Sequence, residues 1–365
     1  MTEYLESILA QYDLGDKVVS CERYGSGHIN ETYLVVTRSG RRYILQKINQ
    51  NIFKDVEGLM ANAEAIASWL RRFNDDPRSV LHLVRSKTGQ TYIRHTDKSP
   101  WRIFDFVEDS ICLQLPESPE DFYESAVAFG RFQEQLRDFP ARTLVETIPN
   151  FHNTPDRYRI FHEILKKDSL GRAKDVRPEI DFVLEREDEA SVLVDYLKEG
   201  KLPLRVTHND TKLNNIMLDA KTRKALCIID LDTVMPGSSL YDFGDSIRFG
   251  AASAEEDERD LSKMKLRLDL FEIYSRGFIS ACPSLTELEL ELLPMGAKLM
   301  TLECGVRFLT DYLNGDHYFA IHREGHNLDR CRTQFKLTKD MEDKWGQMHR
   351  IIEKIKENMA ELKED

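Results

Sequence analysis

Apolar and polar positions alternate over much of the first hundred residues, the period of two that a half-buried strand imposes. Val18 to Tyr24 is one such run, Glu31 to Thr37 a second and Arg42 to Ile48 a third. Gly25-Ser26-Gly27-His28-Ile29-Asn30 separates the first two, and Arg38-Ser39-Gly40 leads into the third. Strand-like runs joined by glycine-containing turns predict an antiparallel meander. From 57 to 73 the period changes, with Leu59, Ala63, Ile66 and Leu70 at helical spacing. A further hairpin is predicted from Thr91-Tyr92-Ile93 and Trp101-Arg102-Ile103-Phe104-Asp105-Phe106.

After Glu108 the pattern becomes helical. Ser118-Pro119-Glu120-Asp121 supplies a capping serine, a proline for the first helical position and an early acid. It opens an amphipathic run through Phe122, Ala126, Phe129, Phe132 and Leu136, and Thr154-Pro155-Asp156 repeats the signal. Between 204 and 232 lie a short apolar run, a polar loop and a strand, Ala225 to Ile229. Beyond 255 helices dominate, although Met264 to Leu270 alternates as a strand would. Met341, Trp345, Met348, Ile352, Ile355 and Met359 predict a terminal helix docked on the core, with a short dimerising coiled coil as the alternative. The expected class is α+β: a small β-rich N-terminal lobe over 1–108 and a larger, mainly helical lobe over 109–365.

Composition narrows the function classes. The chain has 365 residues, 51 Lys plus Arg and 63 Asp plus Glu, for a formal net charge of -12. A duplex-binding protein normally carries a basic surplus, so no nucleic-acid partner is expected. No apolar run reaches the roughly 20 residues of a membrane helix, and the acidic start lacks a secretory pattern. Six scattered cysteines without a Cys-x-x-Cys pair read as reduced thiols, which points to the cytoplasm.

The densest polar cluster is Thr207-His208-Asn209-Asp210-Thr211-Lys212-Leu213-Asn214-Asn215, followed by Ile228-Ile229-Asp230-Leu231-Asp232. Apolar segments flank both, so the carboxylates emerge where buried strands end, held rigidly and partly desolvated. An Asn five residues after Asp210, then a carboxylate closing an apolar strand, suits phosphoryl transfer. In that chemistry one carboxylate orients the attacking hydroxyl, and an Asn with a second carboxylate holds magnesium on nucleotide phosphates. Backbone amides of the Gly25-Ser26-Gly27 turn could approach phosphate oxygens closely.

These motifs resemble the aminoglycoside phosphotransferase family, which has a protein-kinase-like two-lobed fold. The family's His-Gly-Asp-x-x-x-x-Asn loop is matched by His208-Asn209-Asp210 through Asn215, and its Asp-x-(Asp/Glu) by Asp230-Leu231-Asp232. The resemblance implies Asp210 as catalytic base and Asn215 and Asp230 as magnesium ligands, with Asp232 in a less defined role. Asp242, in Tyr241-Asp242-Phe243-Gly244-Asp245, is similar to the family's structural aspartate that braces the catalytic loop. ATP would meet Gly25, Ser26 and Gly27 over its phosphates and Phe106 to Glu108, the expected hinge, at adenine. The departure is at Gln46, where kinases carry a phosphate-contacting lysine. Either Gln46 donates its amide to phosphate, or a β-bulge turns the adjacent Lys47 inward. Glu64 is the candidate for the helix carboxylate, without a lysine to pair.

Within the family the resemblance is to the N-acetylhexosamine 1-kinases and runs from about residue 15 to 340. It rests on Gly27-His28-Ile29-Asn30, the Asp210 and Asp230 motifs, Asp242-Phe243-Gly244-Asp245-Ser246-Ile247-Arg248-Phe249-Gly250 and Glu303-Cys304-Gly305-Val306-Arg307-Phe308-Leu309. It implies ATP-dependent phosphorylation of the anomeric hydroxyl of a small sugar, with His28, His208, Phe249 and Arg307 lining the sugar pocket. Kinases of another small alcohol, such as choline, an aminoglycoside or another sugar, remain open. So does a nucleotide-binding regulator without catalysis. The chain is expected to act as a monomer or homodimer.

Overall fold

The computed structural model describes residues 2–25 and 29–364. In chain order the elements begin α1 (Glu3–Leu9), β1 (Val18–Arg23), β2 (Glu31–Thr37), β3 (Arg42–Lys47) and α2 (Val56–Leu70). Then come β4 (Leu83–Val84), β5 (Ile93–Arg94), β6 (Pro100–Asp105), β7 (Ser110–Cys112), α3 (Pro119–Gln135), α4 (Thr154–Lys167), α5 (Arg177–Leu184) and α6 (Val192–Lys198). Four short strands follow: β8 (Arg205–Thr207), β9 (Ile216–Asp219), β10 (Ala225–Ile228) and β11 (Met235–Gly237). The rest is helical: α7 (Ser239–Gly250), α8 (Leu268–Ala281), α9 (Glu287–Asn314), α10 (His326–Asp343) and α11 (Trp345–Glu364). Among the described residues, no helix is long and apolar enough to cross a membrane.

The chain forms two compact units, each with its own core. The first comprises Met1–Ile111, Arg142–Pro149 and Met217–Met235. Its main sheet runs β1-β2-β3-β6-β4, with β5 paired to β6, and the pairings are antiparallel. The predicted meander is present, and the β2–β3 ladder passes through Thr32↔Gln46 and Glu31↔Lys47 without a shift. One sheet face packs Val35, Tyr43, Leu45, Trp101 and Ile103 against Leu5, Ile8 and Leu9 of α1. Leu59, Met60, Ala63 and Ile66 form the buried stripe of α2. Pro100 to Phe104 are all buried, so β6 has no solvent face.

The second unit comprises Cys112–Ala141, Asn150–Ile216 and Pro236–Asp365. The Ser118 capping box and Pro119 start α3 as expected. In α4 the cap is Asn153 rather than Thr154, its side chain accepting from the Asp156 N–H. Helices α3 and α8 pack together, as do α7 and α9, and α9 and α10. Gly244 of α7 and Gly296 of α9 make the second of these contacts close: a Cβ on Gly244 would lie 2.3 Å from the Gly296 carbonyl oxygen. Met264 to Leu270 is no strand; Leu266 makes one isolated bridge to Ala252 and α8 begins at Leu268. The terminal apolar series divides between α10 and α11, which are separated at Lys344. Met341, Met348, Ile352 and Ile355 are buried, so this face packs on its own chain. The six cysteines are free. The α+β class, a sheet-based first unit and a helical second one, is the class expected.

Candidate active site

Strand β8 is wholly buried and delivers the polar loop that follows it. Asn209 adopts a left-handed backbone, φ 66, a conformation that Gly reaches freely and Asn better than most residues. The N–H groups of His208 and Asn209 donate to the Asp242 carboxylate at 2.9 and 2.8 Å, and Gln133 adds its amide at 2.7 Å. Asp242 therefore braces the loop, as its resemblance implied. Burial pushes its carboxyl above the ordinary value against those bonds. One turn further along α7, Asp245 accepts from the Thr211 N–H at 3.0 Å. Burial would raise Asp245 as well, but Arg248 and then Lys212 outweigh it and hold the carboxyl low.

This framework presents Asp210, which is partly exposed. Asn215 donates its amide nitrogen to the Asp210 carboxylate at 2.9 Å and to the Asp210 carbonyl at 2.8 Å. Lys212 Nζ lies 3.1 Å from the other carboxylate oxygen, and Asp210 foremost holds that ammonium above its ordinary pKa. Lys212 was not singled out by sequence, where nothing separates it from a solvated lysine. Because its nitrogen is committed to Asp210, Asn215 has its amide oxygen left as a hard donor, the type that magnesium takes.

In the first unit, β10 ends at Ile228, and Asp230, two residues beyond it, is also left-handed, φ 58 and ψ 67. Two residues on, Asp232 is buried. Arg102 of β6 grips it with both terminal nitrogens, at 2.6 and 2.8 Å, and Asn30 donates to it at 2.6 Å. The Gln46 oxygen accepts twice from Arg102, at 3.0 and 2.8 Å, while its nitrogen donates to Thr32. Gln46 thus gives its oxygen and one of its two amide hydrogens to protein partners. With no bulge in the ladder, Lys47 lies beside Glu31 at 3.7 Å. Glu64 pairs with Arg85. The inward cation is Arg102, which sequence reasoning missed.

Of the nucleotide-site residues, Gly25 has φ 74, while Ser26, Gly27 and His28 lie outside the described residues. Arg42 stacks over the Phe106 ring at 4.0 Å and its Nε donates to Glu108 at 3.1 Å. Phe106 to Glu108 also line a first-unit cavity of about 620 Å³ with Arg41, Arg42 and Arg78.

Of the sugar-site residues, His208 has no exposed surface, its ring edge-on to Phe129 and Phe132. As it stands it packs the loop and offers nothing to a ligand. Phe249 is half-buried near the end of α7. Arg307 lies 5.2 to 5.7 Å from the rings of Phe151, Tyr318 and Phe319. Beside it Glu303 is buried, accepting from Thr154 at 2.7 Å and bonded to the His152 ring at 2.9 Å. Burial and then repulsion from Arg307 lower the pKa of Arg157, so two guanidinium groups share this neighbourhood.

Residues 20–270 match the model of the phosphotransferase enzyme family. The fold resembles a microcompartment-associated aminopropanol kinase at TM-score 0.62 and 17% identity, over 94% of this chain and 98% of that one. It also resembles an aminoglycoside phosphotransferase from Alicyclobacillus acidocaldarius, TM-score 0.58, 13% identity, covering 95% and 96%. A third likeness is to spectinomycin phosphotransferase in complex with ADP and spectinomycin, TM-score 0.57, 11% identity, covering 92% and 97%.

Proposed function

We propose that this chain, which belongs to the phosphotransferase enzyme family, is an ATP-dependent kinase of a small alcohol, and that the alcohol is the anomeric hydroxyl of an N-acetylhexosamine. The observation that carries the reading is Asp210: a partly exposed carboxylate on a loop fixed by Asp242 and Asp245, bonded to Asn215 and Lys212. The group needed to orient a hydroxyl is held rigidly and stays open to a substrate.

In this reading Asp210 accepts a hydrogen bond from the sugar hydroxyl. As the sugar oxygen bonds to the γ-phosphorus, the bond from phosphorus to the bridging oxygen breaks. The proton passes to Asp210 and the electron pair leaves with ADP. Asn215 and Asp230 would hold magnesium, which when bound would supply charge neutralisation at the phosphates. Backbone amides of Gly25, Ser26 and Gly27 cover the phosphates and Phe106 to Glu108 meet adenine. His28, Phe249 and Arg307 contact the sugar, and His208 serves the loop.

The charges around Arg307 bear on the acceptor. A choline or aminoglycoside site needs acids or bare aromatic faces for a cation. Here Arg307 occupies the aromatic faces and Arg157 adds a second positive charge. With the Glu303 carboxylate already bonded to Thr154 and His152, the two guanidinium groups favour a neutral acceptor, with carbonyl and hydroxyl oxygens to accept from them, over a cationic one.

A coupled ADP-release screen over N-acetylglucosamine, N-acetylgalactosamine, galactose, choline, ethanolamine and aminoglycosides tests the reading. The expected result is ADP release with the N-acetylhexosamines and an acid-labile sugar phosphate as product. Release with amines alone would overturn the sugar assignment, and ATP binding with no acceptor-dependent release would overturn the kinase. Asp210→Asn should lower kcat by about 100-fold or more with ADP affinity little changed; a wild-type rate in that variant would remove Asp210 as the base.

A further inference from the structure

A buried arginine is costly unless its charge and donors are all met, and Arg102 is met by an unusual set. It is 1% exposed on a strand buried on both faces. Its Nη1 and Nη2 hold the two oxygens of Asp232 end-on, and Nε and Nη2 hold the Gln46 oxygen. Asp232 is equally committed: Oδ1 accepts from Arg102, Oδ2 accepts from Arg102 and Asn30, and its carbonyl accepts from Thr147 at 2.7 Å. Asn30 turns its oxygen to the Asn49 N–H at 3.0 Å, and Asn49 donates to the Ile29 carbonyl at 3.2 Å. One ion pair therefore joins β3, β6, the end of the glycine turn and the tight turn that begins at Asp230.

We propose that Arg102 is a positioning residue for phosphoryl transfer: seated on Gln46, it clamps Asp232, fixes the turn carrying Asp230, and so keeps Asp232 from serving as a metal ligand. The inference rests on the kinase reading for its purpose, but not on the identity of the acceptor. It accounts for Gln46: a lysine there would place an ammonium against the guanidinium, whereas an amide oxygen accepts two of its donors. It also assigns unlike tasks to the two acids of Asp230-Leu231-Asp232. A buried carboxylate that already accepts from three N–H donors, two of them from a cation, is poorly placed to take a second cation. Asp230, held in a left-handed turn at the strand end, keeps that task.

The test uses the full-length protein with ADP and magnesium as probes, and needs no acceptor. Calorimetry of the wild type with and without magnesium gives the tightening of ADP binding that the metal supplies. Arg102→Met leaves every carboxylate in place, yet should cut that tightening about ten-fold, the usual scale for losing a partner that orients a metal ligand. ADP affinity without magnesium should change little. In ligand-free thermal unfolding Arg102→Met should lose roughly 5–10 °C, because it strands a buried charge, and Arg102→Met/Asp232→Leu should regain most of that loss. The double variant should remain deficient in the magnesium-dependent tightening. If it recovers both, the pair only packs the interior and the proposal falls. If Arg102→Met keeps the tightening, the clamp does not position Asp230, and if it increases the tightening, Asp232 is itself a ligand; either result overturns the proposal. Failure of the wild type to bind ADP would count against the kinase reading, and the unfolding series would still decide whether the clamp exists.

Discussion

Asp242 shows how much one sealed carboxylate can organise. Two successive backbone N–H groups, from His208 and Asn209, end on it together with Gln133. Asp242→Ala would leave both amides buried without a partner, at about 1–3 kcal/mol each. Urea denaturation should therefore show a loss of about 2–6 kcal/mol, and turnover should fall because Asp210 follows directly; unchanged stability would contradict the bracing role. This residue was legible through its resemblance to the family's structural aspartate. Its neighbours have structural tasks as well. Phe243 is core, Gly244 makes room for α9, and Asp245 holds Thr211. Arg102 was not legible, because on a strand buried on both faces alternation no longer separates inside from outside.

The elements follow their patterns wherever one face is wet. The meander, the α3 start and the terminal apolar stripe all stand close to where period and capping put them. Departures come where local signals compete. Met264 to Leu270 alternates, yet only Leu266 finds a bridge partner, so helix α8 takes over. Strand β8 is three residues long and depends on tertiary support, most visibly Arg205, which holds Glu289 of α9 at 2.6 and 2.8 Å. Ser239 of α7 donates to the same carboxylate at 2.7 Å. Burial would raise Glu289, but its bonds to Arg205 prevail and the carboxyl is held below its ordinary 4.5. The folded state thus binds this proton more weakly than the unfolded chain does. The stabilisation is complete above pH 4.5 and is lost as pH falls through the folded value. Glu289→Gln should be less stable at pH 7 by about 3 kcal/mol, with a shallower decline in Tm below pH 4.5 than the wild type. Parallel Tm–pH curves for the two proteins would refute it.

At the scale of the whole molecule, the two units are not two contiguous stretches of chain. Residues 142–149 and 217–235 pack in the unit built on the first 111 residues, and nothing in their composition marks them for it. Non-local assignments of this kind depend on tertiary contacts, which hydrophobic period does not record. On the proposed kinase reading, the full chain should be stabilised by about 2.7 kcal/mol at a hundred-fold excess of ADP over its Kd. That should raise Tm by a few degrees with magnesium present; no shift with ADP or ATP would oppose nucleotide binding altogether.

The backbone at Asn209 also bears on how such chains are recognised. Related loops carry glycine between the histidine and the aspartate, and here asparagine occupies the same slot at φ 66. What the position demands is a torsion, and more than one letter satisfies it. A motif spelled with glycine alone would pass over this chain, whereas one spelled as a left-handed torsion after a buried strand would find it.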